Sequence, residues 1–210
     1  MKNIATGFGL VFGAAALVLQ FALAIPLRIG NGDTLLGAVI YFFTFYTILT
    51  NIMLVLVYAS DLWPRQGLRW WRSPVTRGMM AAVIVLVGLF YHFVLAGTWN
   101  PQGWSKVADV SLHYVTPIFY VLWWVLFQWH GKLKYAHIPV MLLPSTIWLV
   151  WAMARGALLN EYPYPILEAH ILGYPQVALN VLIVLAGVTL LCALIVALDK
   201  ALTRIDMPGP

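Results

Sequence analysis

The chain has 210 residues, of which 62% are hydrophobic and 9% charged, with a mean hydropathy of +0.87 and a formal net charge of +5. A soluble domain carries roughly 25% charged residues, so this composition excludes a soluble enzyme or binding module and predicts an all-α polytopic membrane protein. The basic excess lies in short connections, where Lys and Arg orient membrane helices, and does not point to nucleic acid.

A bilayer-spanning helix needs about 20 mostly apolar residues. Six such stretches occur, at about 6–28, 36–58, 78–96, 110–129, 138–154 and 177–198, and the whole chain, 1–210, reads as one six-helix domain. The first, MKNIATGFGLVFGAAALVLQFALA, mimics a secretory signal, but its apolar run is long and it is read as an uncleaved first helix. A breaker cluster, Gly30-Asn31-Gly32-Asp33, follows. The second stretch carries a polar stripe, Thr44, Thr47, Thr50 and Asn51, whose spacing of three and four places it on one face of a continuous helix. The connection DLWPRQGLRWWRSPVTR mixes arginines with Trp63, Trp70 and Trp71 and reads as an interfacial belt.

The third stretch ends in LFYHFVLAGTWNPQGW, with His92 near its outer end. The fourth carries His113, expected one turn inside the helix, then Pro117 and a tryptophan-rich end. His130 and His137 flank the short HGKLKYAH connection and are expected to be solvated. The long connection ALLNEYPYPILEAHILGYPQ contains Tyr162-Pro163-Tyr164-Pro165, which favours extended backbone and can dip toward the membrane where protein covers it. Glu168 and His170 follow. The last stretch holds Cys192, the single cysteine, which excludes a disulfide within the chain and is expected simply to pack.

The positive-inside rule gives the topology. Lys2, Arg65, Arg69, Arg72, Arg77, Lys132, Lys134, Lys200 and Arg204 lie on one side, and Arg28, Lys106 and Arg155 on the other. Both termini are therefore expected in the cytoplasm, with the loops near 30–35, 97–109 and 155–176 facing outward.

Threonines in membrane helices usually bond back to their own backbone or glue helices together. Four polar side chains on one face weaken that explanation for the stripe. Ionisable residues inside a membrane are costly, so His113 is a functional candidate. A threonine hydroxyl is a poor nucleophile that needs a base within hydrogen-bond reach, and a neutral imidazole can take its proton and return it to a leaving group. A helix-borne asparagine or a tyrosine hydroxyl can stabilise the oxyanion. A Thr–His dyad without an acid suits a membrane, where a further charge is costly. The same polar cavity suits two other classes: a transporter or lipid-binding protein, and a haem or quinone protein with His92 and His113 as axial ligands.

FFTFYTILTN, TWNPQGW, LHYVTPIFYVLWW and YPYPILEAHILGY occur in order over residues 41–174. In these blocks the chain resembles the bacterial branch of the androgen-induced, AIG-like membrane proteins, related to the androgen-dependent TFPI-regulating protein. The resemblance implies a six-helix membrane hydrolase of lipid esters, such as fatty acid esters of hydroxy fatty acids, with an intramembrane threonine and histidine. His113, before Pro117, matches the family histidine. Thr47, after Phe45-Tyr46, best matches the threonine, with Thr44 after Phe42-Phe43 as the alternative. Where the animal pattern has an acidic or amide residue, Thr50 and Asn51 stand here. Thr50, Asn51, His92, Tyr114, Tyr164, Glu168 and His170 are the expected substrate-binding or cavity-lining residues. The implied partners are membrane lipids and a lipid ester entering laterally, with no cofactor or metal required, in the plasma (inner) membrane of a bacterium.

Overall fold

The computed structural model describes residues 1–206, and every regular element among them is helical. Helix α1 (Lys2–Gly30) buries a stripe of Thr6, Gly9, Gly13 and Ala16. Small residues at this spacing let another backbone approach. A Cβ on Gly9 would meet the Tyr58 ring at 2.6 Å, and one on Gly13 would meet Val55 at 3.2 Å. Both contacts belong to the second stretch, which therefore packs closely along α1.

That second stretch is not continuous. Helix α2 (Leu35–Phe42), capped by Thr34 through the Gly37 amide at 3.0 Å, breaks over Phe43–Phe45. Helix α3 (Tyr46–Leu62) resumes at an angle of 72°. This corrects the expectation of one helix over 36–58 with four polar residues on one face. The break is stable because the groups it frees find partners: Trp148 Nε1 donates to the Thr44 carbonyl at 2.8 Å, and the Thr44 hydroxyl donates to the Ile40 carbonyl at 2.9 Å.

Helix α4 (Pro74–Phe90) is the core of the bundle. Met79, Met80, Ala81, Ala82, Val83 and Ile84 are all buried, and α3, a sixth helix and the last helix pack around it. It runs on through a π turn at Tyr91–Leu95. Helices α5 (Gly103–Val110) and α6 (Thr116–Phe127) form one span through a second π turn at Ser111–Val115. Pro117 has no N–H to offer the His113 carbonyl four residues back, which loosens the helix there. Gly88 of α4 lies against that carbonyl, where a Cβ would sit at 3.3 Å.

Helices α7 (Ile138–Met141) and α8 (Leu143–Leu159) make the fifth span, which ends on Asn160 in the left-handed region (φ 53°). The return segment, with the short α9 (Ala169–Leu172), leads to α10 (Tyr174–Asp206). Among the described residues five helical spans are thus long and apolar enough to cross a membrane, or six with the bent α2–α3 pair as one. The fourth span starts seven residues earlier than expected, at Gly103 rather than 110, so His113 lies three turns into it rather than one.

Charged clusters mark the two ends of α1, about 40 Å apart at 1.5 Å per residue. At one end Asp61 accepts from Lys2 (3.1 Å) and Arg77 (2.6 Å), and Arg77 also donates to Gln128. At the other end Arg28 meets Asp33 and Glu161, each at 2.7 Å, and Arg155 also pairs with Glu161. His130, expected to be solvated, is not: its side chain is 3% exposed and pairs with Asp199 at 3.3 Å, tying the connection after α6 to α10. His137 stays at the surface, with Nδ1 accepting from the Lys134 amide at 3.1 Å.

Candidate active site

The break between α2 and α3 makes Thr47 the second residue of a helix that begins inside the bundle. Its side chain is buried, and Oγ1 lies 3.3 Å from His113 Nε2. The other ring nitrogen, Nδ1, is 3.0 Å from the Asp109 carbonyl and 3.2 Å from Asp109 Oδ1. Both of these are acceptors. Nδ1 therefore carries the hydrogen, and Nε2 presents its lone pair to the threonine hydroxyl. Asp109 is 4% exposed, and its second oxygen accepts from the Tyr91 hydroxyl. The Tyr91 ring also stacks on the imidazole, with centroids 4.0 Å apart and planes 15° from parallel. Ring plane and tautomer are both fixed.

Asp109 and Tyr91 were not among the expected site residues. A signal for Asp109 was present in D-V-S-L-H, where spacing of i, i+4 puts a carboxylate beside the imidazole. With a helix expected only from 110, Asp109 falls in a loop. Tyr91 carries no comparable signal, because it reaches His113 only across two helices.

Tyr164 enters from the return segment. Its backbone is extended, as the Tyr-Pro run predicts, and Tyr162, Pro163 and Tyr164 are buried. The Tyr164 hydroxyl is 3.5 Å from Thr47 Oγ1, and its ring packs among Phe45, Phe90 and Trp148. Burial pushes the phenol above its ordinary range, only partly opposed by the Thr47 hydroxyl and the nearby Thr47 and Tyr46 amides.

Thr47, His113 and Tyr164 form one corner of a cavity of about 140 Å³. Most of the rest of its wall is apolar, with Leu86, Val87 and Phe90 from α4, Leu149 from α8, and Leu185 and Val188 from α10. A dry apolar cavity of roughly 150 Å³ admits a benzene-sized group, so a short stretch of acyl chain fits. The Tyr46 hydroxyl and Ser145 Oγ, 2.6 Å apart, add one more polar point to the lining.

The other expected residues do not line this cavity. Thr44 lies in the helix break, bonded to Ile40. Thr50 bonds back to the Tyr46 and Thr47 carbonyls at 2.9 and 3.1 Å. Asn51 braces the site from behind, donating to the carbonyls of Thr47 (2.8 Å) and Leu112 (3.3 Å) and accepting from Thr116. His92 is exposed and meets the Tyr114 hydroxyl at 3.1 Å. Glu168 is half-buried, and His170 is exposed against the Tyr162 ring. Once the helix breaks, residues before and after Phe45 no longer share a face, and His92 and His170 end up on outward-facing surfaces.

Among the described residues no three His, Cys, Asp or Glu side chains converge as a metal site would require. His92 and His113, the pair an axial haem would need, are engaged by Tyr114 and by Thr47 and Asp109 respectively. Comparison of the chain with protein-family models, with curated proteins and with solved structures finds no match in any of the three.

Proposed function

We propose that this protein is an integral membrane hydrolase of lipid esters, with Thr47 as nucleophile, His113 as general base and Asp109 as the residue that orients the base. One observation carries the proposal: Thr47 Oγ1 lies within hydrogen-bond reach of His113 Nε2, Nδ1 of the same ring is held by the Asp109 carbonyl with the Asp109 carboxylate 3.2 Å away, and this group opens on an apolar cavity. In this mechanism the Thr47 hydroxyl attacks the ester carbonyl carbon while its proton passes to Nε2. The tetrahedral intermediate expels the alcohol, which takes that proton, and leaves an acyl-threonine. Water then attacks the acyl group with His113 as base again, releasing the acid and restoring the hydroxyl. Asp109 stabilises the imidazolium that forms at each step, as the carboxylate of a Ser–His–Asp triad does.

The substrate class follows from the cavity wall and from the resemblance to the AIG-like family: an ester with a long acyl chain, such as a fatty acid ester of a hydroxy fatty acid, that partitions into lipid and enters sideways. The chain in this reading is a six-span protein of the plasma membrane with both termini cytoplasmic. The bent pair then counts as one span, and the Arg28 cluster faces outward.

The test is labelling with a fluorophosphonate and mapping of the adduct by peptide mass spectrometry. A phosphonylated Thr47 that is lost in His113→Ala supports the hydrolase; an unlabelled, folded wild-type protein rejects it. The broken α2–α3 helix favours a second reading, because transporters build midplane binding sites from discontinuous helices. Solute uptake into vesicles that survives Thr47→Ala would decide for that alternative.

A further inference from the structure

We infer that the Tyr164 hydroxyl is the donor that stabilises the oxyanion at the reacting carbonyl, an assignment that rests on the hydrolase reading above. Acyl transfer needs a donor fixed where charge develops, and Tyr164 meets that need in position, in state and in rigidity. Its oxygen stands 3.5 Å from Thr47 Oγ1 on the same cavity corner. When Oγ1 bonds to the carbonyl carbon, the carbonyl oxygen develops its charge one bond beyond that carbon, beside the phenol.

Burial keeps the phenol protonated, so it has an O–H to donate. The ring is held by Phe45, Phe90 and Trp148 on a segment between two prolines, which removes reorganisation at the moment of reaction.

The neighbouring polar side chains are already committed. The Asn51 amide donates to the Thr47 and Leu112 carbonyls, and the Ser145 and Tyr46 hydroxyls face each other. In the step itself the Thr47 oxygen forms a bond to carbon, the carbonyl π pair moves onto oxygen, and the Thr47 proton goes to Nε2. Tyr164 lends a hydrogen bond and transfers no proton.

Tyr164→Phe removes only the hydroxyl and keeps the ring. In detergent-purified protein, hydrolysing medium-chain nitrophenyl esters, we expect kcat to fall about 10²–10³-fold with KM changed less than about threefold. Labelling of Thr47 by a fluorophosphonate should slow in parallel, since its phosphoryl oxygen takes the oxyanion position. A thionoester substrate, whose sulfur accepts hydrogen bonds poorly, should shrink the gap between wild type and Tyr164→Phe to less than about tenfold. A merely structural role for the hydroxyl would leave the gap the same on both substrates, and that result overturns the inference. Full turnover by Tyr164→Phe beside an inactive Thr47→Ala overturns it while leaving the hydrolase standing. Turnover by Thr47→Ala at the wild-type rate, or none by wild type, removes the hydrolase and the inference with it. If Tyr164→Phe fails to fold, 3,5-difluorotyrosine at 164 keeps the hydroxyl with a lower pKa. An altered kcat at constant KM then supports the assignment, and an unchanged kcat rejects it.

Discussion

Among the described residues two histidine–aspartate pairs lie largely inside the protein, and the difference that matters is what the second ring nitrogen meets. His113 Nδ1 lies 3.2 Å from Asp109, and His130 Nδ1 lies 3.3 Å from Asp199; the two aspartates are 4% and 2% exposed. In the His130 pair, Nε2 faces the Val125 carbonyl at 3.0 Å, and Asp199 also takes the Leu133 amide at 2.8 Å. All of its bonds close within the protein and pin a connection. In the His113 pair, Nε2 faces a hydroxyl that opens on a cavity. A buried imidazole–carboxylate pair is thus a fastening by default, and only what the second nitrogen meets makes it available for chemistry.

The largest effects should come from breaking the His113 line. Thr47→Ala and His113→Ala should each lower ester turnover by about 10⁴-fold or more and abolish fluorophosphonate labelling. His130→Ala should leave kcat within about threefold and instead lower stability by about 1–3 kcal/mol, because it strands Asp199. Denaturant titration alongside the activity assay separates the two pairs; equal loss of activity in both would erase the distinction.

Asp109→Asn keeps the shape of the site and the main-chain acceptor of Nδ1 but removes the negative charge beside the imidazolium, so kcat should fall about 10²–10⁴-fold with little change in melting temperature. Asp199→Asn should do the reverse. Filling the cavity opposite Thr47 with Val188→Phe should act on substrate length. The ratio of kcat/KM for long over short acyl esters should drop about tenfold, which a chain-length series measures.

The smallest effect concerns acid. The Arg28 guanidinium beside Asp33 holds that carboxyl below its usual range. The stabilisation is present above about pH 4, the ordinary carboxylate value, and is lost as pH falls through the lower folded value. A pH series of melting temperatures should therefore show an acid-side drop in wild type that Asp33→Asn weakens, with kcat at neutral pH the same in both.

Much of the fold was legible because spans are written in apolar length and turn residues. The breaker cluster Gly30 to Asp33 stops the first helix, two residues past the expected end, and Tyr164 is extended as its flanking prolines predict. The break at Phe43–Phe45 was not legible. It contains no Gly or Pro, and what stabilises it lies a hundred residues away, in the Trp148 indole on the Thr44 carbonyl. The Thr47–His113 pairing followed from chemistry and resemblance together, and the two atoms do lie within reach. Asp109 was hidden by a helix boundary set seven residues too late, and Tyr91 by being a neighbour in space alone. His92 and His170 looked like site residues because histidine near a membrane attracts suspicion; spacing along the chain does not reveal which way a helix turns them.

The two π turns have a consequence for counting. Each fits one residue more than an α-helical turn would hold, and they carry Tyr91 and His113. Deleting one residue between 111 and 115 would let that turn relax to an α-helical one, and the helix on either side would keep nearly its present facing. What would be lost is the widened turn itself, and with it the local placement of His113 beside Thr47 and Asp109. At these two places the chain carries a residue that the helix does not need and the local geometry does: a shorter chain would keep the span and lose the arrangement.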